Sequence, residues 1–332
     1  MNIGIFAGGD SSEYGISMKS ADQVRRWLEN AGHRCFLVEV KGAQWTVHDD
    51  ARRVPLDKNE LTFRAGKSVT KIDFCWNIIH GTPGEDGKLQ GYFDMMGIPY
   101  NTSNQHSSSL TFNKYTCKSF LKQHMILTPE ASLVRKDMET DLEGVAELVG
   151  LPCFVKPNNG GSSFGIAKVV RFEDLEPAVN GALDEDIEAI VERYIKGTEV
   201  TCGLFRSKEG FTVFPLTEIV SMNEFFDYEA KYTPGKADEI TPARIDPDLA
   251  RRCRELAVQI YQLTDSSGIV RVDFIIKGNQ IYFLELNSIP GMTRESIVPQ
   301  QVQEMGMKME EVLEEVIREA LSSHRNRKSH TK

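Results

Sequence analysis

A chain of 332 residues is too long for one compact core, so two or three domains are expected. The formal net charge of -9 offers no basic stripe to neutralise a nucleic-acid backbone, which excludes nucleic acid as a partner and makes any phosphate binding local. Cys35, Cys75, Cys117, Cys153, Cys202 and Cys253 are scattered without C-x-x-C pairing, and there is neither an 18-residue apolar run nor a basic leader, so free thiols, no membrane partner and a cytoplasmic setting are expected.

Asn2 to Ala7 reads as a strand that ends in Gly8-Gly9-Asp10-Ser11-Ser12-Glu13, and Ala21, Val24, Leu28 and Ala31 then recur at helical spacing. Further strands are predicted at 35–40 and 72–79, and Leu89, Tyr92, Phe93 and Met96 mark an amphipathic helix. This alternation implies a parallel sheet with covered faces and a ligand at the carboxyl ends of its strands. Glu13 follows the first strand and His80 ends the third, so both fall there. A nicotinamide site does not fit, because the turn lacks the third glycine and carries an acid where pyrophosphate would lie.

A polar linker is predicted near 101–109, then a helix over about 108–123 with Lys114 in its middle. Residues 151–157 form a strand reaching Lys156, and the Gly/Ser-rich segment 158–165 makes a hairpin loop into the strand 166–170. Backbone N–H groups and hydroxyls of such a loop can cradle phosphate beside a lysine, although the G-x-x-x-x-G-K-[ST] order is absent. The strand 189–195 breaks at Lys196-Gly197-Thr198 before Glu199, a plausible adenine and ribose edge. Residues 221–241 read as a long loop of the kind that forms lids. A helix follows at 247–264, another segment is helical from Ile297 onward, and 324–332 reads as an irregular basic tail.

The strands 268–276 and 281–287 carry charges inside apolar runs, where charges are rarely idle. Alternation puts Glu285 and Asn287 on one face, with Leu284 and Leu286 on the other. A three-residue turn would set Asp273 opposite Glu285 and Arg271 opposite Asn287, whereas an even-numbered turn would put Asp273 and Glu285 on opposite faces. Clustered oxygen ligands of this kind suit Mg²⁺, and an adjacent arginine suits a developing anion.

Taken together these segments resemble the ATP-grasp ligases, most closely the D-alanine–D-alanine ligase family, from the first strand to about residue 321. The resemblance rests on Gly8-Gly9 with Ser12-Glu13, His80-Gly81 with Gly84-Glu85-Asp86-Gly87, Val155-Lys156-Pro157, Gly161-Ser162-Ser163, Tyr228-Glu229-Ala230-Lys231-Tyr232, Arg271-Val272-Asp273, and Glu285-Leu286-Asn287 followed by Pro290-Gly291-Met292-Thr293 and Ser296. It implies an α/β chain with an N-terminal parallel-sheet, Rossmann-like substrate domain (1–102). A two-lobed α+β ATP-grasp unit (103–191 and 192–323) would follow, and then the tail.

The resemblance also implies ATP-dependent joining of two D-alanines for peptidoglycan synthesis, by a homodimer. Lys114, Lys156, Ser162, Ser163 and Lys231 would hold ATP phosphates, Glu192 and Arg193 to Ile195 would face adenine, and Glu199 the ribose. Asp273, Glu285 and Asn287 would bind two Mg²⁺, with Mn²⁺ an admissible substitute. Glu13 would meet the first D-alanine's ammonium in a set with Ser162 and Tyr232, and His80 would line the same site. Lys231, Ser296 and the adjoining Ile297 would hold the second D-alanine, and Arg271 and the Gly291 N–H would steady the oxyanion. Tyr14-Gly15, Asn113 and Arg193 depart from the common pattern, which touches ATP affinity and the anchoring of the first helix. A ligase with another second substrate and a noncatalytic nucleotide sensor are the rival readings.

Overall fold

The computed structural model describes residues 1–49, 52–160, 165–221 and 237–330. Its N-terminal sheet is built on β1 (Asn2–Gly8), which pairs in parallel with β2 (Arg34–Lys41) on one side and β7 (Phe74–Asn77) on the other. Helix α1 (Tyr14–Asn30) packs Ala21, Val24 and Leu28 over one face. On the other, α2 (Lys88–Met96) buries Leu89 and Phe93. That sandwich explains the apolar run of β1, whose Ile3, Ile5, Phe6 and Ala7 are fully buried. The sequence reading missed the antiparallel extension of this sheet through β3 (Gln44–Asp49) and β4 (Arg52–Pro55), and the separate β5–β6 hairpin (Thr62–Ala65, Ser68–Lys71). These strands are short and polar on one side, so alternation alone gives little signal.

The predicted helix over 108–123 is two helices, α3 (Gln105–Phe112) and α4 (Lys114–Gln123). Asn113 is extended between them and caps α4 by accepting a hydrogen bond from the Thr116 N–H at 2.9 Å, so Lys114 opens a helix instead of sitting within one. The second sheet runs β10-β9-β11-β8, from β8 (Ala131–Arg135), β9 (Cys153–Pro157), β10 (Ala167–Val169) and β11 (Glu188–Arg193). The β9–β10 hairpin forms as predicted. Helices α5 (Leu142–Val149) and α6 (Leu175–Glu185) back this sheet with Val145, Val149, Val179 and Ala182.

The third sheet runs β15-β14-β12-β16-β17, with β13 (Gly210–Val213) at the end of β12 (Thr198–Ser207). Part of the segment expected to be loop is strand: β14 (Thr217–Ser221) pairs with β15 (Ala237–Ile240) across residues 222–236, which lie outside the described residues. The register of β16 (Val270–Lys277) on β17 (Gln280–Asn287) decides the site. Lys277 pairs with Gln280, so the turn is the even, two-residue Gly278-Asn279 and not the three-residue one. A register shift at Phe274/Asp273 then inserts Leu284 as a bulge, and below it Asp273 faces Glu285 and Arg271 faces Asn287. The expected pairing is therefore present, through a bulge. The bulge also breaks the expected alternation: Leu284 joins Glu285 on the open face while Leu286 stays in the core.

The C-terminal segment is two helices, Ile297–Glu304 and Met309–His330, so the chain is helical through His330 where an irregular tail was expected. Gly268, at φ +71°, comes directly against the Asn101 carbonyl at the junction between the N-terminal unit and the third sheet. Gly268→Ala combines a backbone conformation unfavourable for alanine with that collision. It is expected to cost about 2–4 kcal/mol in urea unfolding; a loss below about 1 kcal/mol would contradict the contact.

Candidate active site

A cavity of about 790 Å³ lies between the second and third sheets and reaches the carboxyl end of β1, within the size range of small-molecule sites. Its floor is β16 and β17, which contribute Arg271, Asp273, Ile275, Leu284 and Glu285. The facing wall carries Lys156 from β9, Glu192 from β11, and Tyr194, Ile195 and Gly197 from the hinge, while Thr198 and Glu199 open β12 beside the floor. Lys114 and Gly160 close one end and Asp10 to Glu13 with Gly81 and Thr82 the other. Glu13 is buried.

Charge is paired throughout. Asp273 accepts from Arg271 through Nε and Nη2, both at 3.0 Å, from Asn287 Nδ2 at 3.0 Å, and from the Thr201 hydroxyl. This fork fixes the carboxylate in one orientation. Burial alone would lower the Arg271 pKa, but Asp273 beside it holds the guanidinium well above its ordinary range. Lys114 Nζ lies 3.5 Å from Glu285 and also donates to the Gly160 carbonyl. Glu192 bridges Lys118 and Lys156, one lysine on each carboxylate oxygen. Burial by itself would raise that carboxyl, yet the two lysines bring it down to about 2.

The base of the glycine loop is held by asparagines. Asn158 and Asn113 donate to Glu188 at 2.8 and 3.3 Å, and Asn159 donates to Asp186 from both its backbone N–H (2.7 Å) and its side chain (3.0 Å). Asn113 thus has a role here as well as in capping α4. The other two departures also have partners. Tyr14 donates to Glu39 at 2.5 Å, which pins α1 to β2, and Arg193 turns its side chain out to the carbonyls of Val149 (2.8 Å) and Leu148 (3.1 Å).

Of the predicted site residues, Glu13, Lys114, Lys156, Glu192, Ile195, Glu199, Arg271, Asp273, Glu285 and Ile297 line one cavity. Asn287 stands behind Asp273. Ser296 precedes the Ile297–Glu304 helix without capping it through its side chain; its Oγ accepts from the Thr293 N–H at 3.0 Å, and a Cβ on Gly291 would come within 3.0 Å of it, so Gly291 and Ser296 adjoin. Ser162, Ser163, Lys231 and Tyr232 lie outside the described residues. His80 differs from expectation: it is buried behind the wall rather than on it, its Nε2 has no hydrogen-bond partner among the described residues, and burial lowers its pKa against the pull of Glu13. The reason is Gly81, whose N–H is tied to the Glu85 carboxylate at 2.8 Å, which folds the loop over the imidazole. Sequence reasoning missed Lys118, Thr201 and Glu85 as members of this network. For Lys118 the signal available was its place one helical turn after Lys114.

Glu85 yields a pH prediction. Its burial and the nearby Glu13 raise its pKa from 4.5 to about 8. An acid raised on folding stabilises the fold below its unfolded value, and that contribution is lost as pH rises through the folded value. Stability should therefore fall between those two pH values, and Glu85→Gln should remove much of this slope in melting experiments. An unchanged slope would contradict a protonated Glu85.

Two antiparallel sheets closing on a cavity, with lysines on one lobe and paired carboxylates on the other, behind a parallel-sheet unit that supplies one end, define an ATP-grasp enzyme. Models described as D-ala D-ala ligase N-terminus and C-terminus match residues 2–103 and 121–318. The chain is 45% identical over 317 residues to a D-alanine–D-alanine ligase of Phocaeicola vulgatus, covering 95% of this chain and 98% of that one. The VanG D-Ala:D-Ser ligase of Enterococcus faecalis superposes with a TM-score of 0.84 at 30% identity, over 95% of this chain and 98% of the other. A Bacillus anthracis D-alanine–D-alanine ligase complexed with ATP superposes with a TM-score of 0.79 at 26% identity, over 98% and 99%. The chain belongs to the D-alanine–D-alanine ligase family.

Proposed function

We propose that the protein joins two D-alanines into D-alanyl-D-alanine for peptidoglycan precursors, consuming ATP and releasing ADP and phosphate through an acyl phosphate. The observation that carries this is the wall where Arg271, Asp273 and Glu285 meet Lys114 in the cavity shared with Lys156 and Glu13. A carboxylate resists attack by an amine, so the first D-alanine has to be activated by phosphoryl transfer, which depends on positioning and charge stabilisation. Lys114 and Lys156 are suited to the phosphates, and the hinge from Glu192 to Ile195 with Glu199 to adenine and ribose. Asp273, Glu285 and Asn287 form the hard-oxygen donor set that Mg²⁺ takes together with phosphate oxygens; bound there, Mg²⁺ would neutralise charge on the transferring group.

Glu13, a buried carboxylate at the far end, suits the ammonium of the first D-alanine. Ser296, at a helix start where N–H groups favour anions, suits the carboxylate of the second, with Ile297 beside it. Arg271 and the Gly291 N–H would stabilise the tetrahedral oxyanion when the second amine attacks. Water has to be kept from the acyl phosphate, which it would otherwise hydrolyse.

Phosphate release with ATP and D-alanine alone tests the reaction; a requirement for D-lactate or D-serine would point to a ligase with a different second substrate. Arg271→Ala should lower kcat by about 10²- to 10³-fold while ADP still binds, because the adenine end is left intact. Full turnover in that variant would remove Arg271 from the reaction, whereas wild-type protein that binds ADP but releases no phosphate would be the noncatalytic sensor.

A further inference from the structure

Helix α4 lays two lysines one turn apart along the cavity. Lys114 lines it, beside Glu285, whereas Lys118 is 3% exposed, absent from the lining, and paired with the equally buried Glu192. Glu192 does line the cavity and is shared: Lys118 holds Oε2 and Lys156 holds Oε1. Two lysines and one glutamate thus make a buried triad with one positive charge in excess. Burial costs Lys118 enough to lower its pKa to about 8, with Lys156 adding to the effect and Glu192 opposing it.

A lysine that turns to a phosphate gives it charge and donors that a carboxylate partner had held. If Glu192 had Lys156 as its sole partner, each nucleotide entering would strand a buried carboxylate, and breaking a buried pair in that way is costly. A second lysine that never faces the ligand removes this obstacle. We propose that Lys118 is a positioning residue for nucleotide binding: it keeps Glu192 compensated so that Lys156 is free to move from the carboxylate to a phosphate. Lys118 therefore acts through Glu192 and touches no part of the substrate. The inference rests on the ATP-dependent reading of this cavity.

The plainer alternative is that Lys118 only fastens α4 to β11, and a binding comparison separates the two. Binding of ADP with magnesium and of adenosine is measured by calorimetry for wild type, Lys118→Met, Glu192→Gln and the double variant. Lys118→Met should weaken ADP at least tenfold but adenosine less than threefold, since without phosphates Lys156 stays with Glu192 and the carboxylate at the adenine end keeps a partner. In the Glu192→Gln background the same change should alter ADP binding less than threefold, because no carboxylate is left to hold Lys156. Should Lys118→Met not fold, the double variant lacks the stranded charge, and its ADP affinity matching that of Glu192→Gln is the expected result. Equal losses for ADP and adenosine, undiminished ADP binding by Lys118→Met, or an undiminished penalty in the Glu192→Gln background would each overturn the proposal. Wild-type protein that binds no ADP would instead overturn the nucleotide reading itself.

Discussion

Asp273 and Glu285 stand side by side because strands β16 and β17 correct a mismatch between turn and ladder. A two-residue turn, continued regularly, would face Asp273 with Leu284 and turn Glu285 into the apolar core. There an unpaired carboxylate is far costlier than an irregularity in the ladder. The inserted Leu284 shifts the register by one, so that Asn287 reaches an oxygen of the Asp273 carboxylate that Arg271 holds from the same strand, and Glu285 meets Lys114. The bulge also enriches the cavity, because the extra leucine becomes wall in place of core.

From this hairpin outward, charges along the cavity stand beside charges of opposite sign. Lys114 with Glu285, Lys156 with Glu192 and Arg271 with Asp273 are arranged along the cavity as pairs that a polyanion and its cations could exchange into. Such a site carries no large unpaired field before its ligand arrives. Its cost is that every exchange must leave the remaining partner satisfied, which gives weight to supporting residues such as Lys118 behind the wall and Thr201 beside Asp273.

Much of this was legible in the sequence because the signals were local. Apolar runs with embedded charges marked β16 and β17, glycine clusters marked the turns, and the ordered motifs carried the family resemblance. The pairing of Asp273 with Glu285 was also anticipated, but through the wrong device, since turn length is read from Gly278-Asn279-Gln280 whereas a bulge depends on what both faces of the ladder bury. Asn113 looked like a helix interior because α3 and α4 are nearly contiguous; its role comes from Asn159 and Glu188, far away in the chain. His80 was expected to line the site, and only the fold reveals it buried beside a loop in which the Gly81 N–H is held by Glu85. Residues that act through others leave little local pattern; for Lys118 the one sign is its place a helical turn after Lys114.

The last helix has a consequence for how the protein is made. Val312, Leu313, Val316 and Ile317 complete the same core as Ala21, Val24, Trp27 and Leu28 of α1, and Glu310 accepts from Asn30 at 3.1 Å. On its other side, Glu319 accepts from Arg206 of β12 at 3.1 Å. A ribosome has therefore released nearly the whole chain before the first helix can bury its outer face. Contacts of such sequence separation carry a large loop-closure cost, so the core shared by these two helices depends on the most distant pairing of the fold.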